Sequence, residues 1–371
     1  MKKEIKTLLY LVTVGLLVTG CSKDSIDFKD VENTNNNTDG RKILNSGNSL
    51  ESPVFEINDD FKNLSSEIIE TENQIIIKSE LIDKVNENLK SQGMNYGITK
   101  AYAMTNGKEV ILTATGTEFE IEIDSRWIPG DVRRGGRTNL TYYNFLPLFF
   151  ADNDFVDDPF TFEEIEPSID SAVNTWNNID MCNNVQMTKI PFDAERPIPS
   201  GLLAQLFNLE GTQQADINVV GFLDDPAFRF ILSSTNRPSL TVFAIAFNFG
   251  FFDDQGQFSD VDNNGRPDTS HVEIFFTRNF SNDNIWTLDA EEADEFTDVF
   301  DIETVALHEL GHALGKGHFG ARLVTTGPNP EVFYDPVSIM NAGAPALGSQ
   351  RELTDFDHST HCVIWGSWPF E

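Results

Sequence analysis

Residues 308–318 read HELGHALGKGH and hold three of the chain's six histidines. His308 and His312 are four residues apart, and His318 follows after a further six. On a helix, positions four apart stand on one face about one turn up. The spacing therefore aims two imidazoles the same way, at the separation two nitrogens need to bind one zinc ion. Gly315 lies between His312 and His318, and glycine accepts the left-handed conformation that turns a chain back at a helix end. Such a bend brings His318 round as a third nitrogen. Three neutral imidazoles leave the fourth zinc position open to water, which marks a catalytic rather than a structural site. Glu309, beside the first ligand, faces the same cleft and can take a proton from that water. The competing reading is an ordinary helix with surface or core histidines. Five fixed residue types at fixed spacing arise by chance in about one in ten thousand chains of this length, so the zinc reading prevails.

A second stretch also has ligand spacing. In DVDNNGRPD, residues 260–268, Asp260, Asp262 and Asn264 alternate, Gly265 follows, and Asp268 closes the run. Alternating oxygen ligands with a glycine in sixth place are how a calcium loop begins. The glutamate of a helix–loop–helix site is missing from the twelfth place, where His271 stands, with Glu273 two residues on. A calcium loop leading into the strand HVEIFF is the expectation, with an Asx-rich turn as the alternative.

These residues need elements to hold them. DIETVALHELGHALG reads as an amphipathic helix with Asp301 as N-cap and Gly315 as stop. FEEIEPSIDSAVNTWNNI puts Ile165, Ile169, Ala172, Val173, Trp176 and Ile179 on one helical face. ADINVVGFL, LTVFAIAFNF and HVEIFF are strand-like, rich in β-branched and aromatic residues, and ELTDFDHSTHCVIW reads as a shorter helix. The fold class expected is mixed α/β (α+β): a twisted sheet, the histidine-bearing helix, a second helix packed against the sheet, and a smaller C-terminal part. Upstream, SELIDKVNENLKSQG has helical spacing and GKEVILTATGTEFEIEID alternates like two strands. Residues 76–128 are thus a small module or a pro-segment, and 129–371 the main domain.

At 371 residues with 40% hydrophobic and 11% aromatic content, the chain can bury a core. A net charge of −33 repels phosphates and argues against nucleic-acid partners, while it attracts divalent cations. Residues 1–20 combine a basic start with an apolar stretch too short for a comfortable span, as in an export signal. The polar run 21–75 is too poor in apolar residues to fold and reads as a tether. VTGC ends at Cys21 and resembles a bacterial lipobox, which implies a lipid anchor on that cysteine and an outer-membrane or cell-surface location in a Gram-negative bacterium. That leaves Cys182 and Cys362, a candidate disulfide in an oxidising compartment. A monomer acting on protein or peptide substrate is expected.

The pattern HExxHxxGxxH resembles the signature of the metzincin zinc peptidases. That family carries a methionine turn beneath the zinc, and SIMNAG offers Met340 for it. ADINVVGFL, HVEIFFTRNFSNDNIWTL and ELTDFDHS resemble strand, edge-strand and C-terminal helix segments of the matrixin branch. The resemblance covers about residues 138–371. It implies a zinc endopeptidase whose substrate pairs with an edge strand near 271–276. The alternative is a zinc- and calcium-binding surface adhesion protein that does not cleave. The chain departs from the family in four respects. Ala342 stands where some members have a tyrosine ligand, and Lys316 replaces an apolar residue. His271 is the one histidine upstream of the motif, so that a second, structural zinc is not implied, and no unmodified cysteine lies in the N-terminal region to act as a switch.

Overall fold

Strands apolar on both faces need cover on both sides, and three runs of this chain meet that description. In the computed structural model, the described residues are 74–75, 79–105, 110–111, 123, 125–145, 160–182, 184–193, 201–206, 214–223, 228, 231, 242–277, 285–296, 299–324, 332–343 and 348–369. All belong to one unit, residues 39–371. The apolar N-terminal stretch, Cys21 and most of the tether lie outside them, as does most of the strand pair expected over 107–124.

In chain order the elements are β1 (Gln74–Ile75), α1 (Ser79–Ser91), β2 (Tyr96–Thr105), β3 (Val110–Ile111), β4 (Leu140–Asn144), α2 (Phe162–Asn177), β5 (Met187–Lys189), α3 (Gly201–Leu206) and β6 (Ile217–Leu223). There follow β7 (Val242–Phe251), β8 (Thr269–Thr277), β9 (Ile285–Thr287), α4 (Ala290–Glu295), β10 (Val299–Asp301), α5 (Ile302–Ala313), β11 (Ala321–Val324), β12 (Val332–Asp335) and α6 (Asp355–Trp365).

Six strands form one mixed sheet in the order β2-β7-β8-β6-β4-β5. Strands β5, β4, β6 and β8 are parallel, β7 runs against β8, and β2 runs against β7. Every residue of β6, β7 and β8 is buried. On one face Val272, Ile274 and Phe276 meet α2 and α5 through Ile165, Ile169, Trp176, Val305 and Leu310. On the other, Ile245, Phe247, Phe249 and Phe275 meet Leu81, Val85 and Leu89 of α1 and Leu202 and Leu206 of α3.

One expectation is corrected here. The run HVEIFF does not form an edge: β8 is hydrogen-bonded to β7 on one side and β6 on the other. Its apolar residues fill cores on both faces, so the run reads as continuous rather than alternating. Strand β7 is the one beside it toward the rim, and β2 closes that rim. Residues 79–105, which carry α1 and β2 within the 76–128 stretch expected as a small module or pro-segment, contribute strand β2 to the main sheet.

Cys182 and Cys362 are disulfide-bonded, which joins the chain just beyond α2 to helix α6.

Candidate metal centre

Helix α5 begins where the sequence predicts. The Asp301 carboxylate accepts from the Thr304 backbone N–H at 3.0 Å and from its hydroxyl at 2.7 Å, which satisfies one donor left free at a helix start. Arg351 holds the same carboxylate at 2.7 Å and reaches Glu303 at 3.2 Å. The amphipathic helix expected here is corrected: all residues of α5 are buried, because the helix runs through a core rather than along a surface. Strand β7 allows it close, because Ala244 and Ala246 lie in the core that α5 shares, and the Asn248 amide reaches the His312 carbonyl at 3.5 Å.

Past Ala313 the chain turns back. Gly315 has φ +81°, a conformation other residues resist, and the Lys316 N–H donates to the Gly311 carbonyl. The turn brings His318 to the other two histidines, with ring centroids 4.8 Å from His312 and 5.4 Å from His308. Each of the first two rings is fixed through Nδ1: His308 donates to the Ile339 carbonyl at 2.6 Å, and His312 to the Lys316 carbonyl at 2.7 Å. Those bonds leave both Nε2 lone pairs aimed inward, 3.0 Å apart. Two nitrogens on one tetrahedral zinc stand about 3.3 Å apart, at about 2.05 Å from the metal. His318 Nε2 is buried and has no hydrogen-bond partner among the described residues. One ligand atom from each of the three lies within 4.8 Å of the others. Converging acceptor nitrogens, one of them orphaned, fit a divalent transition metal.

Burial pushes His308 down to about 4, against the pull of its Ile339 hydrogen bond. His312 and His318 are also held well below the ordinary imidazole value, first by burial and then by neighbouring positive charge. The three rings are therefore neutral at pH 7, the form a metal requires. Glu309 is fully buried and neither carboxylate oxygen has a partner among the described residues. Burial alone raises its carboxyl well above the usual range, and a nearby divalent ion acts in the opposite sense by favouring the anion.

Met340 lies under the helix. A Cβ added to Gly311 would collide with the Met340 sulfur and stand 3.1 Å from its methyl. The turn carrying Met340 is tied down by Asp357 of α6, whose carboxylate accepts from the Ser338 hydroxyl at 2.5 Å and the Ile339 N–H at 3.1 Å. The Ile339 carbonyl is the partner of His308, so Asp357 orients that imidazole at one remove. Three indoles clamp the helix: Trp176 donates to the Leu307 carbonyl, Trp127 to Ala313 and Trp365 to Leu314. Lys316 is buried over Trp176 at 5.0 Å and donates to the Thr360 hydroxyl at 3.0 Å. Burial pushes its ammonium down to about 7, against the pull of Asp357.

The acidic loop is a separate place. Asp260, Asp262 and Asp268 can each offer one oxygen within 4.8 Å of the others. Asp268 is buried and already holds Arg133 at 2.8 Å. Asp260 accepts from the Asn264 and Gly265 N–H groups. The Asn264 amide donates to Asp262, and its oxygen accepts from the Arg266 N–H.

Sequence reasoning missed Asp357, Ser338, Gly311 and the three tryptophans as parts of this site. Only Gly311 carried a signal, as a glycine inside an otherwise good helix. No protein-family model matches the chain, and no curated protein matches it either.

Proposed function

We propose that this chain is a zinc-dependent endopeptidase of metzincin type, displayed on a bacterial surface by a lipid at Cys21. One observation carries the reading: three buried imidazole nitrogens converge beside a buried carboxylate, Glu309, that has no partner among the described residues. His308, His312 and His318 would hold the metal, the first two oriented through Nδ1. When bound, zinc supplies Lewis-acid polarisation of a scissile carbonyl and lowers the pKa of an attacking water toward about 7. Glu309 accepts that water's proton and returns it to the leaving amine. Met340 shapes the floor without binding metal. An extended substrate would pair with the side of β7 that faces away from β8, the side that β2 holds in this structure.

The test is elemental analysis beside a casein digest. Wild type should hold one zinc per chain, and cleavage should vanish with a zinc chelator. Glu309→Ala should keep the zinc and lose at least about a hundredfold in turnover. A folded protein that takes up no transition metal overturns the reading.

Calcium at Asp260, Asp262 and Asp268 is the second part of the proposal, supported by the closeness of their oxygens.

A further inference from the structure

We infer that strand β2 occupies the edge of β7 that a peptide substrate would use, so that the full chain is held closed by its own residues 96–105. This rests on the peptidase reading of the histidine site and names how that site is regulated.

Strand β7 packs on α5 through its small residues Ala244 and Ala246. One of its backbone sides bonds β8, and the other would be free beside the histidines. Strand β2 takes that side along its whole length, from Tyr96 opposite Phe251 to Thr105 opposite Val242, antiparallel, with irregularities after Ile98 and Met104. An extended substrate augmenting the sheet would need the same N–H and C=O groups of β7. Two strands cannot hold one edge.

The side chains of β2 extend the argument. Alternation puts Lys100, Tyr102 and Met104 on one face, and Met104 lies in the core shared with α5. The Tyr102 ring stacks on His312, with centroids 4.1 Å apart and planes 4° from parallel. It also meets the His318 ring edge-on at 5.6 Å. Tyr102 has no exposed surface, and its hydroxyl has no partner among the described residues. His308, Glu309 and His312 are equally shut from solvent. A scissile carbonyl approaching the face of His312 would have to displace that ring, although His318 is partly exposed. The cover uses an aromatic ring and a backbone ladder, with no cysteine involved.

Helix α1 keeps the strand in place from the other side of the sheet. The Asn86 side chain donates to the Ile98 carbonyl and accepts from the Ile98 N–H, while Leu81, Val85 and Leu89 share a core with Phe249. Residues 79–105 thus form a helix-and-strand cover with its own attachments. Its displacement opens both the edge and the ring-covered face of the histidines together.

The experiment uses the full chain in three forms: wild type, Tyr102→Ala, and Ala101→Pro with Ala103→Pro to break the ladder. Each is loaded with zinc and checked for fold by circular dichroism. The rate of exchange of bound zinc for added cobalt, hydrogen exchange along β7, and casein turnover are then read on the same samples. If β2 is the cover, the folded variants exchange metal and turn over casein at least about tenfold faster than wild type, as expected when a closed state is depopulated. In the proline variant the β7 amides also lose protection. Folded variants that hold zinc yet match wild type in exchange rate and turnover overturn the inference and leave the peptidase reading standing. Faster metal exchange with no cleavage in any form supports the cover and overturns the peptidase reading instead.

Discussion

Gly311 and Met340 fit against each other only because Gly311 has no side chain: a Cβ there would run into the methionine sulfur, with Trp176 closing the third side at 3.2 Å. The glycine between His308 and His312 thus serves the packing beneath the rings. Gly311→Ala should improve helix propensity by about 1 kcal/mol, yet force Met340 out and cost about 1–3 kcal/mol through overpacking. The expected net result is a lower Tm and weaker zinc retention, read by thermal unfolding and by metal analysis after dialysis. Met340→Leu, close in volume, should cost less than about 1.5 kcal/mol.

Asp357 accepts from the Ile339 N–H, and the carbonyl of the same residue accepts from His308. Asp357→Asn should leave all three histidines present and lower zinc affinity by about 10–100-fold, the usual cost of losing such an outer partner. A competition titration against a chromophoric chelator measures this. Unchanged affinity in a folded variant would mean that the turn orients His308 without help.

Asp216 is the anchor of the far side of the sheet. It is buried and bonds Arg134 at 2.9 Å and Arg137 at 2.8 Å, with the Thr141 hydroxyl at 2.9 Å. Burial alone would raise its carboxyl, but Arg134 and then Arg137 outweigh burial and hold it below the ordinary value. A depressed folded pKa contributes stability above the unfolded value of about 4, and that stability is lost as pH falls through the folded value. Unfolding free energy should therefore drop below about pH 4, with a shallower slope in Asp216→Asn. At neutral pH the variant should lose about 3 kcal/mol, because the buried Arg134 guanidinium is left without its carboxylate, while Arg137 is partly exposed to water. Denaturant melts across pH check both statements.

Lys316 is charged only at a cost, since burial brings its ammonium down to about 7. Lys316→Met keeps the backbone carbonyl that His312 uses and removes the buried amine. Its Tm at pH 7 should equal or exceed that of wild type, as is common when a buried charge is replaced by an apolar side chain of similar size. A fall of several degrees would show that the Thr360 and Trp176 contacts outweigh the cost of burial.

Calcium should raise Tm through the acidic loop, by an amount that grows with concentration as binding to the folded state alone requires. Asp262 is exposed, so Asp262→Ala should leave the calcium-free Tm unchanged and abolish the rise. No rise in wild type would leave the loop as a set of Asx turns.

The elements carrying strong local periodicity were legible in the sequence. The start and end of helix α5 follow from its Asp301 cap and Gly315 bend, but the amphipathic face expected of it is absent because all its residues are buried. The buried face of α2 from Ile165 to Trp176 follows from the 3.6-residue period. Strand existence was readable for β6, β7 and β8, but strand order was not. A run apolar on both faces says only that a strand is covered, so HVEIFF gave no sign of whether it lay centrally or at an edge. Tyr102 was invisible as a site residue because it lies more than two hundred positions from His312, and only pairing of β2 with β7 joins them. Asp357 was hidden in the same way, since its weight comes from contacts made after folding. For the acidic loop, Asp260, Asp262 and Asn264 alternate as expected, while the Arg133 partner of Asp268 comes from distant sequence.

The bond between Cys182 and Cys362 closes 180 residues of chain into a ring, and His308, Glu309, His312, His318 and Met340 all belong to it. A protease that meets a folded protein cuts it first in exposed surface loops. One nick anywhere within that ring leaves no fragment able to drift away, because the two arms stay stapled at their bases. Such a molecule would migrate as one band until a reductant is added, and could go on working while already cut.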